Sequence, residues 1–412
     1  MAESPYIERN QNVLHFQSLS NPFVVGNFIR AVYKGRERGF EDFVLDCSAV
    51  SGTFPNVCVP IAGLLDVYRD DGVEFSKTRV PEFLENTRLF NPAIVIDSQL
   101  LLSQRPLNTV WRYSTPEEVN TLVTTYLREV SRIVVCEVGV IQGLEWCLNE
   151  VMDNVLQHSN QPFGYVMGQI HQTSKHIAFC IFDPGIGIFN TLKGSVHAPR
   201  SHLDAITLAI KEGVTRDKAV GQGNGMWGLH SIVRENSGSL GITTGNASYR
   251  IDRPDAPPYT SENVPFLNKV NNCTIVDFQI DFSKPIAVSR ALGGHEPVNL
   301  ALEELEDNAG QIVYPLANRS TGTGTRRSGL AIRNEVLNLS RQSNQIITLD
   351  FSGVGVVSSS FADELIGKLV AEIGFIGFGQ RFRLINMNNF VETLTNRAVM
   401  QRLSATNTGE IG

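Results

Sequence analysis

Between residues 138 and 158 the apolar residues Val140, Ile141, Leu144, Trp146, Cys147, Leu148, Val151, Met152 and Val155 recur at helical spacing, which predicts a helix with one buried side. Its last stretch, NEVMDNVLQHS (149–159), also carries Asn149, Glu150, Asp153, Asn154, Gln157 and His158. At 3.6 residues per turn Glu150, Asn154 and His158 fall at i, i+4 and i+8 on one face, with Asp153 and Gln157 beside them. That face is either the solvated side of an amphipathic helix or one wall of a polar site. Any fold that accepts this helix must bury one side of it and leave the other to water or a ligand.

The flanking sequence supplies the other elements. Thr115, Pro116 and Glu118 form a capping-box helix start, and a domain boundary is expected just before it. YVMGQIHQTSKHIAFCIFD reads as a hairpin around a polar turn, residues 202–212 as a helix, and SLGITTGNASYRI and NCTIVDFQIDF as further strands. The prolines of DRPDAPPYTSENVP predict a loop between those strands. Two glycine-bearing stretches stand out. FDPGIGI (182–188) ends a strand at Asp183, followed by Gly185 and Gly187, and GQGNGMWGLHSIV (221–233) places Gly221, Gly223, Gly225 and Gly228 ahead of an apolar helix. Backbone N–H groups of such a loop and helix start can meet an anion.

At roughly 150 residues per domain, 412 residues imply two or three domains. Thirty-five Lys and Arg against 42 Asp and Glu give a net charge of −7, without the long basic run that a phosphate backbone demands, so a direct nucleic-acid role is not expected. The six cysteines are scattered among apolar neighbours with no CxxC spacing and read as buried thiols of a reducing compartment. The start MAESPYIERN lacks a basic, apolar signal, and the longest apolar stretch, RIVVCEVGVIQGLEWCL, is interrupted by Glu137 and Glu145. A cytoplasmic protein with no membrane span is expected.

In this order, the polar helix, DPGIG and GQGNGMWGL resemble the three motifs of the GHKL ATP-binding domain, the Bergerat fold of gyrases, heat-shock chaperones, histidine kinases and anti-sigma-factor kinases, over about residues 120–285. The resemblance implies ATP and Mg²⁺ as ligands. It implies that Asn154 ligates Mg²⁺ and that Glu150 is a general base or orients the attacking group, with Asp153 beside them counted among the cofactor-binding residues. It implies that Asp183 accepts from the adenine amino group, that Gly185 and Gly187 let the backbone approach the base, and that Gly223, Gly225 and Gly228 wrap the phosphates. Gly-Met-Trp-Gly-Leu stands where many relatives have Gly-x-Gly-Leu, which leaves the phosphate-contacting amides open. Residues 201–222 correspond to the ATP lid, where Arg216 and Lys218 are either phosphate-facing cations or solvated charges. His158 resembles a histidine that ends this helix in anti-sigma kinases and serves either helix-end packing or chemistry.

The two ends resemble each other. FVLDCSAV followed by CVPIAGLLDVYRDDGVEF runs strand, turn, apolar helix, Gly-led strand, and ITLDFSGV followed by SFADELIGKLVAEIGFIGF repeats that order, with Gly72 and Gly374 lying 26 and 24 residues after Asp46 and Asp350. IITLDFSGVGVVSSSFADELIGKL (346–369) is similar to the STAS domain of anti-anti-sigma factors, and closer to a STAS-like family of unknown function found beside GHKL ATPases. This aligns Ser359 with the phosphoacceptor serine, with Ser358 in place of the usual Asp and Pro55 at the N-terminal equivalent. Ser359 is thus either an acceptor or a helix cap. NRSTGTGTRRSG (318–329) reads as a linker or mobile loop rather than a phosphate loop, since no Lys follows its glycines.

The expectation is an α/β protein: a STAS-like domain at 1–114, a central GHKL sandwich with a mixed sheet under helices at 115–288, a linker at 289–325 and a STAS-like domain at 326–412. The expected function is Mg-ATP-dependent control of a regulatory protein partner by hydrolysis or phosphoryl transfer. The alternatives are a conformational ATPase that forms a homodimer on binding ATP, and a non-catalytic ATP sensor.

Overall fold

A β-hairpin that runs on into two β-α-β units opens the described chain. The computed structural model describes residues 6–158, 163–214, 224–252, 257–262, 273–297, 299–320 and 322–408. Strands β1 (Ile7–Asn10), β2 (Val13–Phe16), β3 (Asp42–Asp46) and β4 (Glu74–Thr78) form one sheet in that order, with β1 antiparallel to β2 and the last three parallel. Helices Phe23–Arg36 and Pro55–Asp70 make the crossovers. Pro55 occupies the first helical position, where its missing N–H costs nothing, and Gly72, at φ 83, turns the chain into β4.

A second sheet is formed by β5 (Ala93–Ile94), β6 (Trp111–Tyr113), β7 (Gly164–His171), β8 (His176–Asp183), β9 (Ser239–Thr244), β10 (Ala247–Ile251), β11 (Tyr259–Ser261) and β12 (Thr274–Asp281). Its eight strands run in the order β11-β10-β9-β12-β8-β7-β6-β5. The expected hairpin is β7–β8, and the stretch SLGITTGNASYRI, read as a single strand, is itself a hairpin, β9–β10; both pairs are antiparallel. The capping box also forms: Glu118 N donates to Thr115 Oγ1 at 3.2 Å, while the Glu118 carboxylate accepts from Ser114 N at 2.6 Å.

Strand alternation assigns the two faces of this sheet. Ile181 and Asp183 of β8, with Val276 and Thr274 opposite them on β12, line a cavity together with residues of helix Val140–His158, and Phe179 packs edge-on against Tyr126 of helix Pro116–Ile133. Cys180, Phe182, Cys273 and Ile275 point the other way, into a core built mainly from residues 7–89. Helix Pro55–Asp70 therefore lies between the two sheets, and its run of buried residues, Val57, Cys58, Val59, Ile61, Ala62, Leu64 and Leu65, reflects burial on all sides. At Gly63 the helix backbone comes so close that a Cβ would enter the Phe182 ring. Tyr165 Oη on β7 donates to Asp66 Oδ2 at 2.6 Å on the same helix.

The third sheet is parallel, β13 (Ile312–Pro315), β14 (Ile347–Asp350) and β15 (Phe382–Ile385), joined through helix Arg326–Gln342 and a helical run from Ser359 to Ile373 that contains a π-helical turn, Asp363–Gly367. Three local readings are revised here. The stretch expected to link domains contains β13, whose apolar residues Ile312 and Tyr314 are buried against β14. The polar stretch 318–329 is not a loop throughout, because Thr325 caps helix Arg326–Gln342 by accepting from Ser328 N at 3.1 Å. Gly374 leads into another helix, Phe375–Arg381, and the strand begins only at Phe382.

The likeness of the two ends extends to detail. Asp46 and Asp350 each end the second strand of a parallel trio and accept from the N–H two residues on, Ser48 at 3.1 Å and Ser352 at 2.8 Å. Each also accepts from the side chain of the residue that follows the third strand, Arg79 or Asn386, both at positive φ.

The chain clusters into two compact units, one of residues 1–126, 143–281 and 286–295, the other of residues 127–142, 282–285 and 296–412. In the second, the buried Asn338 donates to Ser131 O and Val134 O and accepts from Cys136 N, while Asn334 donates to Arg132 O and Ile133 O. These amides satisfy backbone groups that the end of helix Pro116–Ile133 leaves open. Among the described residues no helix is long and apolar enough to cross a membrane.

Candidate functional site

Helix Val140–His158 lays its polar face along a cavity of about 550 Å³. Trp146, Glu150, Asp153, Asn154 and Gln157 line it from the helix; Ile181, Asp183, Val276 and Thr274 from the sheet; Gly187, Ile188, Thr191 and Leu192 from the short helix Gly187–Leu192 that follows β8. Asn224, Gly225, Met226 and Trp227 close it from the start of helix Gly225–Glu235.

The glycines have definite jobs. Gly185 N donates to Asp183 Oδ1 at 2.7 Å, an Asx turn that bends the chain away from β8, and Gly187 completes the bend at φ 77. At Gly225 a Cβ would run into the Glu150 carboxylate and crowd Asn154 Nδ2 at 3.2 Å, so glycine lets this helix start sit directly over those two side chains. At Gly228 a Cβ would lie 2.6 Å from Trp146 Nε1. Gly228 thus permits the close packing of this helix against Trp146.

Burial raises the pKa of Glu150, with the neighbouring Asp153 adding to it, and burial raises that of Asp153. Beneath them Tyr113 is fully buried, its hydroxyl 3.4 Å from Met152 O, and burial followed by the charges of Asp183 and Asp153 holds its pKa well above the ordinary range. Glu150 is thus poised to take a proton. Among the described residues no group of three His, Cys, Asp or Glu side chains is placed to hold a metal. A metal at Asn154 would draw its remaining ligands from substrate oxygens and water, a mode that suits Mg²⁺.

Of the residues read from sequence, Glu150, Asp153, Asn154, Asp183, Gly187 and Gly225 come together in this cavity, and Gly185 shapes its rim. Gly223, Arg216 and Lys218 lie outside the described residues, as does the side chain of His158. Sequence reasoning missed Trp146, Trp227, Thr274, Leu292 and His295. Trp146 was within reach, one helical turn before Glu150. Thr274 enters only through its register opposite Asp183, and Leu292 and His295 come from a segment with no motif.

In the C-terminal unit, Ser358 is the helix cap, its Oγ accepting from Phe361 N at 3.0 Å. Ser359 is the exposed first helical residue, so the cap reading passes to its neighbour. Pro55 holds the same first position in the helix after β3. Ser358→Ala is expected to cost the unit about 1 kcal/mol, a typical cap loss, and Ser359→Ala almost nothing; equal denaturation midpoints for the two variants would reject this assignment.

Residues 328–392 match the family described as a STAS-like domain of unknown function (DUF4325). No curated protein and no solved structure matches the chain. The STAS-like segment takes in most of helix Arg326–Gln342, β14, the Ser359–Ile373 helical run, β15 and the start of helix Asn389–Thr408. It includes both Ser358 and Ser359.

Proposed function

We propose that the chain binds Mg-ATP in the cavity under helix Val140–His158 and hydrolyses it or transfers its γ-phosphate, thereby controlling a regulatory protein partner. The observation that carries this reading is the convergence of Glu150, Asn154, Asp183, Gly187 and Gly225, from three separate stretches, on one cavity of about 550 Å³. That volume suits a nucleotide-sized ligand. Asp183 supplies an acceptor for a purine amino group, and the start of helix Gly225–Glu235 supplies amides for phosphate. Asn154 would hold Mg²⁺, which when bound neutralises charge on the phosphate oxygens. Glu150, with its raised pKa, accepts a proton from the attacking water or hydroxyl.

The exposed Ser359 within a STAS-like segment favours a regulatory outcome. In transfer, the acceptor hydroxyl oxygen bonds to the γ-phosphorus, the bond to the β,γ-bridging oxygen breaks, ADP leaves and the hydroxyl proton is lost to a base. Incubation with Mg²⁺ and γ-labelled ATP tests the proposal. Protein-bound label that disappears in Ser359→Ala supports transfer, and free phosphate that disappears in Glu150→Ala supports hydrolysis. ATP binding with neither product would reduce the protein to a sensor. Since the Glu150 pKa is raised, activity should fall on acidification at a pH above the ordinary glutamate range.

A further inference from the structure

The cavity extends past Glu150 into an end that the three sequence motifs do not account for. Asp183 marks one end, with Thr274 paired across from it. Glu150, Asn154 and Gly225 form the middle, where a Cβ on the glycine would meet both side chains. Beyond them, Trp146 lies one turn earlier on the helix, bordered by Gly228 and Leu292, and the His295 ring stands edge-on to the Trp146 indole at 5.4 Å between centroids. Trp146 Nε1 is buried with no hydrogen-bond partner among the described residues. His295 is exposed, follows two glycines at positive φ (Gly293, 64°; Gly294, 96°), and is the last residue of the first compact unit before the chain enters the second at Glu296.

A nucleotide whose base meets Asp183 and whose phosphates pass Asn154 and Gly225 ends its phosphate chain at this far end. Resting on the ATP-site reading, we infer that His295 donates a hydrogen bond to the terminal phosphate, making the segment Ile286–His295 the part of the chain that distinguishes a nucleoside triphosphate from a diphosphate. The paired glycines let the residue move as that bond forms or is lost. Trp146 and Trp227, both lining this end, supply a fluorescence signal for its occupancy, because the third tryptophan, Trp111, is buried with its Nε1 bonded to Pro106 O.

The test uses the full chain with Mg²⁺, titrated with ADP and with the β,γ-imido analogue of ATP, in wild type, His295→Ala and His295→Gln. His295→Ala is expected to weaken the triphosphate analogue about tenfold, as loss of one hydrogen bond to a charged group does, while ADP affinity stays within about twofold. His295→Gln, which keeps a donor, should recover part of the loss. Exchange of the amides of residues 290–295 should slow with the analogue but not with ADP in wild type, and with neither in His295→Ala. Equal weakening of both ligands, or of neither, overturns the inference. A wild-type chain that binds neither nucleotide overturns the ATP-site reading itself, and this inference with it.

Discussion

Asp183→Asn is expected to weaken Mg-ATP binding about thirtyfold, the equivalent of about 2 kcal/mol for a hydrogen bond to a charged acceptor. The asparagine oxygen can keep accepting from Gly185 N, so the Asx turn should survive. What changes is the second position on the side chain, from an acceptor to a donor, now opposed to the donor amino group of adenine. The same swap suits a purine that carries oxygen at that position, so affinity for inosine triphosphate should hold or rise. Calorimetric titration of both nucleotides reads this directly. Unchanged ATP affinity in a folded Asp183→Asn chain would remove the base of the functional proposal.

Gly63→Val is expected to destabilise the first compact unit by about 3 kcal/mol, at the upper end of overpacking costs. Glycine to a larger residue inside a helix ordinarily gains up to about 1 kcal/mol of propensity, so the sign is decided by packing. A Cβ at residue 63 enters the Phe182 ring, and that ring cannot retreat far because it is fully buried and next to Asp183. The thermal midpoint should drop by about 10 °C, on the scale of 2–4 °C per kcal/mol for a unit of this size. ATP affinity measured below the transition should fall as well, through displaced Asp183. Gly52→Ala, where a Cβ meets nothing within 4 Å, is the control. Equal midpoints for the two variants would refute the close approach of helix Pro55–Asp70 to β8.

Much of the architecture was legible because it is encoded locally. The period of 3.6 in residues 138–158 placed Glu150, Asp153 and Asn154 on one face of a helix observed at Val140–His158, and the turn chemistry of DPGIG placed Asp183 at a strand end. The capping start at Thr115 and the β7–β8 hairpin follow from rules that span a few residues. The same rules misread residues 374–378, where Phe375 and Ile376 suit a strand as well as they suit the exposed helix that forms. They also allowed Ser359 as the cap, where the structure has Ser358, since either hydroxyl can serve until the helix start is placed.

Residue types and their short-range spacing were enough to establish an α/β chain with a polar helix face, an aspartate and a glycine-led helix suited to a common ligand. They could not say what covers the reverse face of the eight-stranded sheet, because helix Pro55–Asp70 meets β8 across more than a hundred residues and its apolar run shows burial without naming the partner. Nor could they bring Leu292 and His295 to Trp146, since no local preference marks a segment whose place depends on which helix faces meet. Periodicity and turn chemistry act within a few residues of chain, whereas packing across distant segments is set by shape and burial in the folded core. The stretch NEVMDNVLQHS could be read as two-sided from its letters, and the polar side of helix Val140–His158 became the wall of a cavity only when Gly225 and β8 closed over it.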